Sequence, residues 1–184
     1  MRLHNPAFRV VFSAVLLLAC IGPAVKGQKK DLNSVHARLA QEVRHKLLML
    51  TNYNVFDDLR FEITGVDTVV LLGQVTRPSL KSDAESAILG MEGVGKIVDK
   101  IEVLPLSPAD DRIRLAAFHS IFSKPGLEKY GIRAVPPIHI IVQDGNITLV
   151  GTVANAEDKD LAGIAANEVP GVFRVTNNLK IEDR

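Results

Sequence analysis

The sequence contains no tryptophan, two tyrosines and a single cysteine, Cys20. One cysteine cannot form a disulfide within the chain or supply the paired thiolates of a structural zinc site. The histidines are also too scattered to chelate a metal, because no two of them fall three or four residues apart on a helix. They are His4, His36, His45, His119 and His139. We therefore expect no metal and no cofactor.

Catalytic motifs are absent as well. The sequence has no nucleophile motif, no phosphate-binding loop and no dinucleotide fingerprint. Two adjacent acid pairs, Asp57-Asp58 and Asp110-Asp111, do not form an acid-base pair, because neighbours in sequence point apart on a helix or strand. The second pair is expected to favour the start of the following helix through its charge. The sequence does not predict an enzyme.

A strong excess of positive charge is missing too, since the formal net charge is only +1. Three of the basic residues, Arg2, Arg9 and Lys26, fall in the first 27 residues, where there is no acid. The rest of the chain is therefore mildly acidic. Nucleic-acid binders neutralise phosphates with clustered lysine and arginine, so nucleic acid is not an expected partner.

The amino-terminal segment has the plan of an export signal. Arg2 and Arg9 precede an apolar run over residues 10–21, and Gly22-Pro23-Ala24 follows. A spanning helix needs about 20 apolar residues, more than the interval between Arg9 and Lys26 provides. We predict that residues 1–27 direct export and that the protein is periplasmic or lipid-anchored to the outer membrane.

Two processing routes are open for this segment. Small residues after the apolar run suit ordinary signal cleavage, whereas Leu17-Leu18-Ala19-Cys20 resembles a bacterial lipobox, departing from it at Leu18. In the second route Cys20 carries acyl chains that hold the protein to a membrane.

The remainder of the chain is an internal duplication. Shifting the sequence by 78 residues aligns segment 69–75 with 147–153, and it pairs Lys81 with Lys159, Ala84 with Ala162 and Gly93 with Gly171. Each copy is predicted to form a helix, two strands, a second helix and a closing strand. The predicted strands are 61–64, 68–75 and 96–103 in the first copy, and 138–142, 146–153 and 174–181 in the second. The predicted apolar helix stripes are Val35, Leu39, Val43 and Leu47 or Leu50; Ala84, Ala87, Ile88 and Met91; Ile113, Ala117 and Ile121; and Ala162, Ala165, Ala166 and Val169.

These copies define two domains. Domain 1 spans residues 33–104, domain 2 spans 109–182, and residues 105–108 form a short linker that contains proline. The linker lacks glycine, which favours a restricted orientation of the two domains. Gly73 and Gly151 lie inside strands, where each indicates a bulge or the close approach of a helix.

The glycines and flanking apolar residues of each copy resemble the BON domain, a small bacterial module. Segments 145–153 and 171–179 carry the resemblance, which is weaker in domain 1, where Val66-Asp67 replaces Asp144-Gly145 and Asp99 replaces Asn177. The resemblance implies an α+β fold of two tandem αββαβ domains, each with two helices on one face of a three-stranded mixed sheet. It also implies an extracytoplasmic location, a role in attachment to phospholipid membranes and no catalytic residue.

The first helix of domain 2 carries an apolar stripe that a helix on a sheet does not need. Leu115, Phe118 and Phe122 lie opposite the core stripe, and the ungapped alignment matches them with Ala37, Ala40 and Arg44. Leaving such side chains in water forgoes roughly 1.5–3 kcal/mol each. A bilayer, domain 1 or another protein would cover them, and the cations next to the stripe would meet anionic headgroups. These cations are Arg112, Arg114 and Lys124.

We therefore predict a non-enzymatic exported protein that docks on a phospholipid surface and serves envelope maintenance or stress protection. The alternative is an envelope protein-interaction module that does not bind lipid.

Overall fold

The structure is a computed structural model that describes residues 25–182, with side chains from residue 33 onward. The predicted export segment, including Cys20, lies outside the described residues except at 25–27, where the first helix begins. Domain 1 consists of α1 (Val25–Leu48), β1 (Asp58–Thr64), β2 (Thr68–Val75), α2 (Pro78–Ile88) and β3 (Lys96–Val103). The rest consists of α3 (Pro108–Phe122), α4 (Glu128–Gly131), β4 (Ile138–Gln143), β5 (Asn146–Val153), α5 (Ala156–Asn167), β6 (Arg174–Asn177) and β7 (Lys180–Ile181).

Each domain is a mixed sheet covered by two main helices, which confirms the predicted α+β fold. In domain 1, β1 pairs antiparallel with β2, and β2 pairs parallel with β3. In domain 2, β4 pairs antiparallel with β5, and β5 pairs parallel with both β6 and β7. The strand predicted over 174–181 is therefore split in two. The break falls at residues 178–179, where the side chain of Leu179 is buried in the core and the Asn177 amide nitrogen donates to the Lys159 carbonyl at 2.7 Å.

The hairpins of the two copies differ by one residue in the turn. Thr64 pairs with Thr68 in domain 1, whereas Gln143 pairs with Asn146 across Asp144-Gly145 in domain 2. Consequently β2 and β5 match at an offset of 78 residues, but β1 and β4 match at 79, as the registers require. Phe61 is the structural counterpart of Ile140.

The first helices match at an offset of 74 residues. The buried residues Leu39, Val43 and Leu47 correspond to Ile113, Ala117 and Ile121. Gly93 faces Leu39, and its counterpart Gly171 faces Ile113. The ungapped pairing of α3 with Ala37, Ala40 and Arg44 is therefore wrong by one helical turn. The counterparts of Leu115, Phe118 and Phe122 are Gln41, Arg44 and Leu48.

The cores follow the predicted stripes closely. Val35 is an exception, because its side chain is 52% exposed and the domain 1 stripe begins at Leu39. Its counterpart at the 74-residue offset, Ala109 in the first turn of α3, is exposed as well, so this turn lies outside the core in both domains. The other large aliphatic residues of the first-helix stripes are buried or half-buried.

Gly73 and Gly151 are required by the sheet itself. Their φ angles are +116° and +121°. A Cβ at Gly151 would lie 1.9 Å from the Pro137 carbonyl oxygen, and one at Gly73 would lie 2.0 Å from that of Asp58. The close approach predicted for these glycines is thus made by the backbone next to the strand, and no helix atom is among the nearest atoms.

The two domains contribute apolar residues to each other's cores. Val55 belongs to the connection between α1 and β1, yet it is 6% exposed within the core of domain 2. The Ile140 amide on β4 donates a hydrogen bond to the Val55 carbonyl oxygen at 2.8 Å. In the opposite direction, Val135 of domain 2 packs against the core of domain 1.

Candidate functional site

The outward residues of α3 divide into two groups. Leu115 is 56% exposed, whereas Phe118 and Phe122 are half-buried and pack against the core of domain 2. The Phe118 ring meets that of Phe56, from domain 1, edge-on at 6.3 Å, and it meets the Phe122 ring at 4.9 Å. The stripe therefore lies partly at the seam between the domains, and only Leu115 remains open to water.

The cations next to the stripe also differ in position. The expectation that Arg114 faces outward is wrong, because it is 5% exposed and its guanidinium donates to the Val142 carbonyl oxygen at 2.7 Å. The same side chain forms a salt bridge with Asp111. Arg112 is exposed, and the half-buried Lys124 forms a salt bridge with Glu168 at 2.7 Å. Arg114, held by Val142 and Asp111, closes the gap between α3 and β4 and cannot meet a headgroup.

An exposed cluster, called the tip here, lies beside the start of α3. It is formed by Phe173, which is 84% exposed, together with the exposed side chains of Arg112 and Arg174. Phe173 and Arg112 line one cavity of about 540 Å³. The Phe173 amide donates to the Gly145 carbonyl at 2.9 Å, and a Cβ on Gly145 would lie 2.5 Å from the Phe173 ring. The glycine of the hairpin turn therefore lets the aromatic ring lie over the turn.

Asp110 holds this tip together. Its carboxylate is 4% exposed and accepts hydrogen bonds from the amides of Asp144 at 3.1 Å and Gly145 at 2.8 Å. The predicted start of the helix is present as well, since Ser107 accepts from the Asp110 amide at 3.2 Å. The acid thus connects α3 with the hairpin turn.

A second feature is an open cleft of about 970 Å³ along domain 1. One wall is α1, with Ala37, Ala40 and Arg44, and the other is β1, with its apolar residues. The end near the seam is lined by three residues of domain 2, namely His139, Thr152 and Lys180. The cleft is large enough for a small-molecule ligand or a short peptide.

His139 is a buried histidine at the seam. Its ring stacks on that of Tyr53 at a centroid distance of 5.4 Å, and its Nε2 lies 3.5 Å from the Tyr53 hydroxyl oxygen. Burial lowers the pKa of His139 despite the nearby carboxylates of Asp58 and Asp57. Burial also raises the pKa of Tyr53. Both groups are therefore neutral at pH 7, and a protonated His139 would be unfavourable in this position.

The buried acids have structural partners. Asp57 accepts from the Thr76 amide at 2.7 Å and from the Thr76 hydroxyl at 2.8 Å. Asp158 accepts from the Tyr130 hydroxyl at 2.6 Å and forms a salt bridge with Lys129 at 2.8 Å. Burial opposes ionisation of Asp158, but the hydrogen bonds from Lys129 and Tyr130 outweigh it and lower the pKa of this carboxyl. Within residues 33–182, no three histidine, cysteine or acidic side chains are grouped so as to hold a metal.

The fold and these surfaces define a class of small tandem α+β modules. The BON domain profile matches residues 36–105 and 126–183, so the chain belongs to the BON domain family. This family is non-catalytic. Among the helices that the structure describes, none combines the length and apolarity needed to span a bilayer.

Two solved structures are similar to the chain over most of its length. One is the C-terminal domain of CdsD, the structural protein of the type III secretion system of Chlamydia trachomatis, with 11% identity and a TM-score of 0.31, covering 79% of this chain and 98% of that one. A second CdsD structure matches with 11% identity and a TM-score of 0.28, covering 79% and 94%. None of the curated proteins matches the chain.

Neither the exposed Phe173 nor the cleft of domain 1 was predicted from the sequence. Phe173 does have a sequence signal, because the duplication places glycine, Gly95, at the matching position of domain 1. A position in the repeated core would need an apolar side chain in both copies, so this pairing indicates that Phe173 lies outside that core. The sequence contains no such signal for the cleft. The helix residues that leave it open can be compared with those of domain 2 only at the 74-residue offset, which the structure reveals.

Proposed function

We propose that this protein is a non-enzymatic, exported envelope protein that docks on anionic phospholipid surfaces through the tip of domain 2. The observation that carries the proposal is the exposure of Phe173, which reaches 84% although the fold does not require an aromatic residue there. Leaving a phenylalanine side chain in water forgoes roughly 1.5–3 kcal/mol. Insertion below the headgroups would recover this free energy.

The charges around the tip suit such a surface. Arg174 follows Phe173 directly, and Arg112 lines the same cavity. Juxtamembrane cations contribute about 1 kcal/mol each near an anionic leaflet. Leu115 lies one helical turn beyond Arg112 on the same side of α3 and is 56% exposed, so it would extend the inserted apolar area. Phe118 and Phe122 are not assigned to insertion, because they pack at the seam.

Membership of the BON family and the amino-terminal export pattern support the envelope location and a role in envelope maintenance or stress protection. If Cys20 is acylated, its chains and the tip of domain 2 would attach the protein at two points. Stable anchoring generally takes two such signals.

Vesicle flotation tests the proposal. The protein used is residues 25–184, which hold every described helix and strand and lack both Cys20 and the apolar run 10–21. We expect it to float with vesicles of phosphatidylglycerol and phosphatidylcholine, to float less at high salt, and not to float with phosphatidylcholine alone. Phe173→Ser should lower the partition coefficient about tenfold or more, equivalent to about 1.4 kcal/mol.

Ile132→Ser is the matched control, because Ile132 is also 82% exposed but lies outside the tip. It should float like the wild type. Equal losses in the two variants would show that any exposed apolar residue drives the binding. Absence of flotation of the unmodified protein would overturn the proposal.

A further inference from the structure

We infer that the cleft between α1 and β1 of domain 1 binds an extended, acidic and apolar segment of a partner protein, which pairs with the free edge of β1. This site is separate from the tip of domain 2. The corresponding groove of domain 2 is filled, whereas the cleft of domain 1 is open.

In domain 2, the groove between α3 and β4 is occupied in two ways. The Arg114 side chain fills it from the helix and donates to the Val142 carbonyl oxygen at 2.7 Å. A turn of domain 1, residues 54–57, covers the remainder, with the Val55 carbonyl accepting from the Ile140 amide at 2.8 Å and the Phe56 ring against Phe118. The edge of β4 is therefore covered by an apolar turn of the same chain, which accepts a backbone hydrogen bond from that edge.

In domain 1, neither filler is present. The counterpart of Arg114 at the 74-residue offset is Ala40, whose small side chain lines the open cleft. The counterpart of Phe118 is Arg44, which is exposed. The cleft of about 970 Å³ thus lies where domain 2 holds an arginine and two aromatic rings.

The edge of β1 is available for pairing. In the sheet order β1-β2-β3, β1 has β2 as its single neighbour among the described residues. The Leu59 amide points away from β2, because it contacts the Tyr53 hydroxyl at 3.4 Å. Amides alternate in direction along an antiparallel strand, so those of Phe61 and Ile63 point to the same side. Phe61 corresponds to Ile140, whose amide makes the bond to Val55.

The lining specifies the chemistry of the occupant. Leu47, Leu59, Phe61 and Ile63 provide an apolar surface, and Arg44 and Lys180 form no salt bridge in the described part of the chain. Glu62 is the acidic residue of the lining. A segment that alternates apolar side chains with carboxylates would pair its backbone with β1 and its charges with these cations.

A peptide with the sequence of residues 52–58, Asn-Tyr-Asn-Val-Phe-Asp-Asp, is a suitable probe. It combines the apolar pair that docks in domain 2 with two carboxylates. Fluorescein-labelled peptide added to residues 25–184 should give saturable anisotropy, and the amide resonances of Phe61 and Ile63 should shift. Ala40→Arg, which restores the filler used in domain 2, should weaken binding about tenfold or more.

The matched control is Gln41→Arg, which adds the same charge at an exposed position outside the cleft lining. It should leave the affinity within about twofold. Arg44→Glu provides a second test, because it reverses a charge on an exposed position and should also weaken binding without affecting folding. Phe173→Ser should bind the peptide normally, so failure of the membrane proposal is distinguishable from failure of this one.

Absence of saturable binding would overturn the inference, as would equal affinity in Ala40→Arg. Binding of a fluorescent fatty acid that Ala40→Arg abolishes, without any peptide binding, would overturn it in favour of a lipid site.

Discussion

The carbonyl oxygen of Val55 accepts a hydrogen bond from the amide of Ile140 at 2.8 Å, and this contact links one domain to the edge strand of the other. The Val55 side chain is buried in the core of domain 2. Val55→Ala should therefore destabilise domain 2, although the residue lies in domain 1. Removing two buried methyl groups and leaving a cavity should cost about 1.5–3 kcal/mol.

Denaturant unfolding combined with amide exchange would measure this effect. Protection should fall at β4 and β5 of domain 2. Val66→Ala is the control, because Val66 is 69% exposed, and it should change the free energy of unfolding by no more than about 0.5 kcal/mol. Unchanged protection of β4 in Val55→Ala would contradict the role of Val55 in that core.

Gly151→Ala should be among the most destabilising single substitutions in the chain. A Cβ there would meet the Pro137 carbonyl oxygen at 1.9 Å, in addition to the strain of a φ of +121°. We expect a loss of about 3 kcal/mol or more, measured by urea unfolding. Gly126→Ala isolates the clash, since Gly126 also has a positive φ, +96°, but open space around it. That control should cost about 1–2 kcal/mol, the penalty for a side chain at positive φ. An equal loss at both positions would refute the clash.

Tyr130→Phe tests the hydrogen bonds that connect α4 with the start of α5. The Tyr130 hydroxyl donates to Asp158 at 2.6 Å and accepts from the Ala154 amide at 2.8 Å. Removing the oxygen leaves both groups with one partner fewer while keeping the ring in place. The free energy of unfolding should fall by about 1–2 kcal/mol. A fall below about 0.3 kcal/mol would mean that water replaces the hydroxyl.

His139 should make stability depend on pH. Burial lowers its pKa in the folded state, so near and below the unfolded value of 6.5 the unfolded chain binds more protons than the folded one. Stability should therefore fall as pH falls from 7.5 through 6.5 and stop falling, for this group, below the folded pKa. His139→Phe keeps the stacking on Tyr53 and removes the titration. Denaturant unfolding of both proteins at pH 7.5 and 5.5 should show a smaller acid loss in the variant; equal losses would exclude His139 as the cause.

Periodicity predicted most of the fold because the determinants are local. The alternation in segments 68–75, 96–103 and 146–153 gave strands with these same bounds. The buried stripes of α3 and α5 were predicted for the same reason. The split of the last strand and the short α4 were missed, since they depend on Asn177 reaching α5 and on Tyr130 reaching Asp158, contacts between distant parts of the sequence.

The site was less predictable because a helix has more than two faces. Of the stripe predicted opposite the core, Leu115 is exposed, whereas Phe118 and Phe122 pack against the core of domain 2. The sequence could not show that Phe56 meets Phe118, or that Arg114 folds back onto β4. The error in matching the first helices has a simple cause: a shift of four residues keeps the same helix face, so apolar periodicity cannot separate offsets of 74 and 78.

The exchange of Val55 and Val135 has a consequence for the history of the duplicated gene. Two identical tandem copies begin as separable units, and either can be deleted without harm to the other. Once each core holds a side chain from the neighbouring copy, loss of one half would leave a hole in the remaining half. Later mutations could then diversify the two surfaces separately, giving an aromatic tip in one copy and an open cleft in the other. The two copies would nevertheless be retained together.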